Sequence, residues 1–222
     1  MQRRAFLLGA AAAPANGAVS SREWLDVTGA PFPGSCWARE AGGVLHALTP
    51  REAFRDLRSA GEFTDFTFDF EFKLARGANS GVKYLLGKVD AWRRPGTTGE
   101  QARARGFEFQ LIDDEEAEDA RRDPTHVTGA LYGILAPTRL AARVAGDGRF
   151  HTASIRRQGA AIEHRVDGLV VLAARLDDPA VVSRMAARRM TAYAEVAARP
   201  SPVSLQHHNS EVWFRRLTLR GL

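Results

Sequence analysis

The sequence contains a single cysteine, and it has neither a long apolar run nor a long basic run. Cys36 alone cannot form an intramolecular disulfide or a zinc site built from several cysteines. The net charge of +5 comes from 31 Lys and Arg against 26 Asp and Glu, whose signs alternate along most of the chain. Because a continuous basic stripe is missing, we expect no nucleic-acid partner. The 222 residues suffice for the buried core of one domain.

The first 18 residues have the composition of a signal peptide. Arg3 and Arg4 precede Phe6-Leu7-Leu8 and a run of small residues, an order typical of export signals. The apolar run is too short to cross a bilayer as a helix. The arginine pair is similar to a twin-arginine signal, and an ordinary secretory signal is the alternative. We therefore predict an exported protein, periplasmic or secreted, with no membrane span after cleavage and a folded domain over residues 22–222.

The segment Phe66–Leu74 alternates apolar and polar residues, which predicts a half-buried strand. Its four phenylalanines share one face and require a second layer to bury them. Further strands are predicted at residues 82–86, 106–112, 130–135, 152–157, 162–166, 170–173, 203–207 and 212–219. Residues 90–105 are predicted to form a long loop, and Asp178-Pro179 is predicted to begin one short helix. This pattern predicts an all-β sandwich or jelly roll.

The alternation also predicts which polar residues share a face. Glu108 and Gln110 lie on the face opposite Phe107 and Phe109. Three other pairs could join them on an open sheet face: Asn79 and Lys83, Gln206 and His208, and Trp213 and Arg215. Amides, charges and an indole are the groups with which β-sandwiches bind sugars, although a solvated outer face has the same pattern.

The strand Glu108-Phe109-Gln110-Leu111-Ile112-Asp113 is similar to the catalytic strand of laminarinase-type glycosidases, which carries Glu, Asp and Glu at this spacing. A retaining glycosidase needs two carboxyl groups about 5–5.5 Å apart. Here Gln110 replaces the middle acid, and strict alternation places Asp113 on the face opposite Glu108. A conventional glycosidase mechanism is therefore disfavoured. Adjacent histidines on a strand point to opposite faces, so His207 and His208 cannot easily share one metal site.

An ordered set of segments resembles the 3-keto-disaccharide hydrolase domain family over residues 24–222. The segments are Asn79–Tyr84, Gly106–Asp114, Gly129–Tyr132, Ile162–Gly168, Leu205–His208 and Val212–Arg215. The resemblance implies a concanavalin-like jelly roll that acts on glycosides oxidised to a ketone at sugar carbon 3. A noncatalytic glycan-binding module of the same fold and a conventional glycoside hydrolase are the alternatives.

The chemistry that the resemblance implies needs few groups. A ketone at carbon 3 acidifies the proton on carbon 2, and its removal gives an enolate that expels the group on carbon 1. Glu108 and His208 are the expected base or acid, and Lys83, Arg215 or a divalent metal ion could stabilise the oxyanion. The residues expected to position the sugar are Asn79, Gln110, Tyr132, Gln206 and Trp213.

The sequence departs from the family pattern near its C-terminus. The family reads Leu-Gln-Asp-His-Gly where this chain has Leu205-Gln206-His207-His208-Asn209. The acid is therefore missing at His207, which favours the glycan-binding alternative. Asn209 replaces a glycine, and asparagine tolerates a left-handed turn better than most residues.

Overall fold

The computed structural model describes residues 23–49, 54–93, 99–139, 144–190 and 192–222. The predicted signal peptide lies outside these ranges. The strands are β1 (Trp24–Asp26), β2 (Trp37–Glu40), β3 (Val44–Ala47), β4 (Leu57–Ser59), β5 (Phe66–Leu74), β6 (Asn79–Arg93), β7 (Glu100–Ile112), β8 (His151–Gln158), β9 (Ala161–Val166), β10 (Leu169–Arg175), β11 (Ser204–Leu205) and β12 (Val212–Gly221). The helices are α1 (Glu118–Arg122), α2 (Pro179–Ala187) and α3 (Tyr193–Val196), with short 3₁₀ turns at Ala41–Gly43 and Pro124–His126.

The strands form two antiparallel sheets. The five-stranded sheet has the order β1-β4-β11-β6-β7, and the seven-stranded sheet has the order β10-β9-β8-β5-β12-β3-β2. Strands distant in sequence are neighbours in both sheets, as in a jelly roll. The predicted all-β, concanavalin-like sandwich is confirmed. None of the helices in the described ranges combines the length and apolarity that spanning a membrane requires.

The core lies between the sheets. Strand β5 has the predicted bounds, and its apolar face is buried while the intervening polar residues are partly exposed. Phe70 meets Phe109 of the other sheet edge to face, with ring centroids 6.0 Å apart. This contact joins the two layers, since β5 belongs to the seven-stranded sheet and β7 to the five-stranded sheet.

The predicted hairpins and helix start are also present. Asp167 and Gly168 both have positive φ, at 47° and 79°, as a two-residue type I′ turn between β9 and β10 requires. Asp178 caps α2 by accepting a hydrogen bond from the Ala180 backbone N–H at 2.8 Å, and Pro179 occupies the first helical position.

Two predicted segments are wrong. Residues 90–105 are not one loop, because β6 continues to Arg93 and β7 begins at Glu100, forming a long hairpin arm. Its buried side chains include Ala102 and Ala104, which are small and leave a weak apolar signal. Residues 130–135 form a tight turn rather than a strand. Leu131 bridges both Phe109 and Leu135, and Gly133 reverses the chain with φ 67°.

The extents of two further elements differ from prediction. The strand predicted at 203–207 is only Ser204–Leu205, because the His207 backbone N–H donates to Asp56 rather than to a neighbouring strand. Three short helices occur in the described residues instead of one. Helices α1 and α3 have five and four residues, too short to leave a helical period in the sequence.

Candidate active site

A cavity of about 480 Å³ lies on the outer face of the five-stranded sheet. Its floor comes from β6, β7 and the chain after β11. Lys83 pairs with Glu108 across β6 and β7, and the Gln206 backbone N–H donates to the Gly81 carbonyl at 2.8 Å. The register therefore brings the polar faces of the consecutive strands β6 and β7 together with the chain after β11, which lies far from both in sequence. Seven of the predicted site residues line this cavity: Asn79, Lys83, Glu108, Gln110, Tyr132, Gln206 and His208.

The predicted assignment of faces on β7 is confirmed. Phe107 and Phe109 are buried between the sheets, whereas Glu108 and Gln110 line the cavity. Glycine at position 81 leaves room for the acid, because a Cβ there would lie 2.4 Å from Glu108 Oε1. The backbone of β6 thus provides the space in which the Glu108 carboxylate rests.

Glu108 lies at the floor of the cavity, and its carboxyl group has a strongly raised pKa. Its pKa is raised from 4.5 to about 7, chiefly by burial and to a smaller extent by the charge of Asp56. The positive charges of Lys83 and Arg103 and a hydrogen bond with Gln206 oppose this rise. An acid with a pKa near 7 can exchange protons with a substrate near neutral pH.

Lys83 forms an ion pair with Asp56, a buried residue that was not predicted as part of the site. Its Nζ lies 3.0 Å from Oδ2 of Asp56, and both side chains are almost fully buried. Asp56 also accepts hydrogen bonds from the backbone N–H groups of Ala104 at 3.0 Å and His207 at 2.9 Å. Asp56 therefore positions the Lys83 ammonium beneath Glu108. No local pattern marks an acid 27 residues away as this partner.

Amide side chains cover the floor beside Glu108. The Nε2 of Gln110 donates to Asn79 Oδ1 at 3.4 Å. The Oε1 atoms of Gln110 and Gln206 are buried and have no hydrogen-bond partner among the described residues. Unused amide oxygens in a cavity can accept hydrogen bonds from ligand hydroxyl groups.

Tyr132 forms part of the cavity wall, and contacts with Asp119 and His126 orient its side chain. Its hydroxyl donates to Asp119 Oδ2 at 3.0 Å, and its ring stacks on His126 at 4.5 Å. His126 Nδ1 lies 3.0 Å from the other Asp119 oxygen. Burial and the charge of Asp119 raise the Tyr132 pKa to about 12, which keeps the phenol protonated. Asp119 was not predicted as a site residue, because it lies in an acidic run whose composition is typical of a solvated loop.

Four arginines of the described residues line the cavity and were not predicted, and two of them, Arg103 and Arg188, have distinctive surroundings. Arg103 comes from the hairpin arm, and its guanidinium carbon lies 5.0 Å from the centre of the Phe54 ring. Arg188 follows α2 and donates to the Gly133 carbonyl at 2.7 Å. Gly133 has φ 67°, which favours glycine, and a Cβ there would displace the Arg188 guanidinium. Arg103 was not predicted as a site residue because residues 90–105 were predicted to form a loop.

The two adjacent histidines separate as predicted. His208 lines the cavity, and burial together with the charges of Arg103 and Lys83 lowers its pKa below the usual 6.5. His207 points away, is buried, and packs edge-on against Trp37 at 5.4 Å. Its ring nitrogens meet the Cys36 carbonyl at 3.1 Å and the Asn209 N–H at 3.1 Å. The departure from the family pattern at position 207 thus lies outside the cavity lining. Asn209 has φ 57°, the left-handed turn that was expected.

Trp213 and Arg215 do not join this cavity. They lie on β12 in the seven-stranded sheet, so the prediction that they share one face with Glu108 is wrong. Trp213 is flanked by its cross-strand neighbours, with the His46 ring 4.3 Å away and Lys73 Nζ 3.8 Å from its centre. Arg215 pairs with Glu71 at 2.7 Å. Strand alternation defines a face but does not say to which sheet that face belongs.

Asp113 does not line the cavity, in agreement with the prediction that it faces away from Glu108. It is buried and accepts backbone hydrogen bonds from Gly77 at 2.7 Å, Glu115 at 3.0 Å and Glu116 at 3.1 Å. Among the described residues, the carboxylates that line the cavity are Glu108 and Asp90, and Asp90 is paired with Lys88 and Arg105. Within the described ranges, no three His, Cys, Asp or Glu side chains are grouped as a metal site would need.

The fold and this sugar-sized polar cavity define a jelly-roll protein with an acid-bearing site on one sheet. The chain belongs to the 3-keto-alpha-glucoside-1,2-lyase-like domain family, whose model matches residues 15–220. The chain is thus a member of a carbohydrate-active family. A comparison with curated proteins finds no match.

Solved structures with the same fold include two proteins from Parabacteroides distasonis, both described as candidate glycosyl hydrolases. The first has a TM-score of 0.67 and 18% identity, covering 92% of this chain and 91% of its own. The second has a TM-score of 0.64 and 22% identity, covering 90% and 99%. At these identities the likeness establishes the shared fold.

Proposed function

We propose that this protein cleaves the glycosidic bond of 3-keto-glycosides, with Glu108 as the general base. The observation that carries the proposal is the placement of Glu108 at the floor of the cavity, with a pKa raised to about 7. A base of this kind removes a proton that a neighbouring ketone has acidified. Membership of the 3-keto-alpha-glucoside-1,2-lyase-like family supports the same substrate class.

The reaction begins with transfer of the carbon-2 proton to the Glu108 carboxylate. The electrons of the C–H bond form an enolate whose negative charge lies on the carbon-3 oxygen. The carbon-3 ketone then re-forms as the carbon-1 to oxygen bond breaks, and the leaving oxygen takes the electron pair of that bond and the proton that Glu108 had removed. The sugar product has a double bond between carbons 1 and 2. Later addition of water across this bond would give the hydrolysis product.

The other cavity residues have roles that follow from their environment. The Lys83 ammonium, positioned by Asp56, supplies positive charge for the enolate oxygen. His208 has a pKa below its usual value, so near neutral pH its imidazole is mainly uncharged and serves as a hydrogen-bonding group. The free oxygens of Gln110 and Gln206 accept from sugar hydroxyls, and Asn79 and Tyr132 complete the positioning.

The arrangement favours this route over conventional glycoside hydrolysis. That chemistry needs a second carboxyl group to act with the first. The other carboxylate lining the cavity, Asp90, is neutralised by Lys88 and Arg105, whose hydrogen bonds and charges lower its pKa. The keto-dependent route requires only one such base.

The direct test is turnover of a 3-keto-glucoside compared with its parent glucoside, each with and without added divalent metal. We expect cleavage of the keto substrate only, and a primary isotope effect when carbon 2 carries deuterium. Equal cleavage of the unoxidised glucoside would replace the proposal with ordinary glycoside hydrolysis. Binding of the keto-sugar without turnover under all conditions would identify a glycan-binding module instead.

We also propose that the protein acts outside the cytoplasm. The support is the sequence of residues 1–18, which resembles a twin-arginine signal. Replacing Arg3 and Arg4 by Lys should leave the protein in the cytoplasm, as fractionation and immunoblotting would detect. Unchanged export of this variant would indicate the general secretory route, and cytoplasmic wild-type protein would contradict export.

A further inference from the structure

The charges that line the cavity are unbalanced. Six cationic side chains line it (Lys83, Lys88, Arg103, Arg105, Arg188 and Arg189), against the carboxylates of Glu108 and Asp90. A pocket for a neutral sugar needs hydrogen-bonding groups but no excess of charge. An excess of one sign in a concave site attracts ligands of the opposite sign.

Three of these cations already have carboxylate partners. Lys83 pairs with Asp56 at 3.0 Å, and Asp90 pairs with Lys88 at 3.2 Å and with Arg105 at 2.6 Å. Each of the three therefore contacts a carboxylate of the protein, and Lys88 and Arg105 share the same one.

Arg103 differs from these three. No carboxylate of the described residues lies within ion-pair distance of its guanidinium, and its Nε is buried without a hydrogen-bond partner in the same part of the chain. Burial lowers its pKa, and the more distant negative charges of Asp56 and Glu108 oppose this shift only in part. A buried guanidinium that makes no direct ion pair is costly, and an anionic ligand in contact with it would relieve that cost.

The setting of Arg103 favours a planar anion. The guanidinium carbon lies 5.0 Å from the centre of the Phe54 ring and 5.5 Å from that of Trp92. Aromatic rings beside a guanidinium restrict its orientation and leave its N–H edge for hydrogen bonds. A carboxylate matches that edge with two parallel hydrogen bonds.

We infer that Arg103 forms a subsite for a carboxylate on the substrate, so that the preferred substrates are 3-keto-glycosides of hexuronic acids. This inference rests on the proposed function for the reaction but not for the binding of the anion. Arg188 also lines the cavity and adds to its positive potential, while its hydrogen bond to the Gly133 carbonyl holds it in place.

The test compares the 3-keto derivative of a 4-nitrophenyl glucuronide with that of the corresponding glucoside of the same anomer. We expect kcat/KM for the glucuronide to exceed that for the glucoside by at least about tenfold, the effect of one charged hydrogen-bonded pair. Arg103→Gln should abolish this preference, and Arg103→Lys should retain part of it. Arg105→Gln is the matched control, because it removes an equal charge that already has a carboxylate partner in Asp90, and it should keep the preference.

A second measurement separates this inference from the proposed reaction. Calorimetry with the unoxidised glucuronide and glucoside measures binding without chemistry. Tighter binding of the glucuronide that is lost in Arg103→Gln supports the subsite even if no keto substrate is cleaved. Equal turnover and equal binding of the two sugars would overturn the subsite and leave the proposed reaction standing. The subsite is also overturned if Arg103→Gln, folded by circular dichroism, keeps the full preference for the glucuronide.

Discussion

The carboxylate of Glu108 lies in the space that a side chain at position 81 would occupy. A Cβ on Gly81 would approach Oε1 of Glu108 to 2.4 Å and its Cγ to 2.9 Å. The two residues lie on neighbouring strands, and Gly81 pairs with Gln110, two positions after Glu108. The glycine thus determines where the proposed base rests, although it contributes no functional group.

Gly81→Ala should therefore impair catalysis more than folding. The three atoms nearest to the new methyl group all belong to the flexible side chain of Glu108, which can move aside at small cost to stability. A displaced base should lower kcat by about 10–10²-fold. Gly34→Ala is the control, because a Cβ there meets no atom within 4 Å and both activity and melting temperature should stay unchanged. Full activity in folded Gly81→Ala would mean that the position of Glu108 does not govern the rate.

The rate should depend on pH through Glu108. Its pKa is about 7, and the base must be ionised, so kcat/KM should rise as the pH increases through about 7 and level off above it. Glu108→Gln should lower the rate by about 10²-fold or more and remove this rise. Glu163→Gln, a glutamate of the other sheet that pairs with Arg165, should match wild type. An unaltered pH profile in Glu108→Gln would exclude Glu108 as the base.

Stability should depend on pH through the same residue, with a definite sign. The folded protein holds the Glu108 proton up to about pH 7, whereas the unfolded chain loses it near 4.5. Wild type should therefore lose stability relative to Glu108→Gln as the pH rises between these values. His164 and His207, whose pKa values burial lowers to about 4, act in the opposite direction and cancel in this comparison. Urea denaturation of both proteins at pH 4.5 and pH 8 measures the difference, and a pH-independent difference would contradict the raised pKa.

The buried pair of Lys83 and Asp56 should matter for stability as a unit. Lys83→Met leaves the Asp56 carboxylate buried without its cation and should cost about 3–5 kcal/mol in the free energy of unfolding. The double variant Lys83→Met with Asp56→Asn should recover much of this loss, because no buried charge then remains unpaired. Denaturant titration provides both values. Equal destabilisation by the single and double variants would show that packing, rather than charge pairing, dominates at this site.

Strand faces could be predicted from the sequence because the alternation that determines them is local. The phenylalanines of β5 and the pattern around Glu108 predicted two layers and placed Glu108 opposite Phe107 and Phe109, as the structure confirms. Turn chemistry at Asp167-Gly168 and the Asp178 cap are likewise local, since each depends on neighbouring residues alone.

The residues around the floor of the cavity could not be predicted from the sequence, because contacts between distant parts of the chain bring them together. Asp56 reaches Lys83 only because β11 lies between β4 and β6, and Arg103 enters because β6 and β7 extend into an arm. Trp213 has the same alternation as a cavity residue yet belongs to the other sheet. Period-two patterning specifies the face of a strand, whereas strand order and register decide which faces meet. The sequence by itself therefore determined the sandwich and the orientation of Glu108, and only the tertiary structure decided which charges surround it.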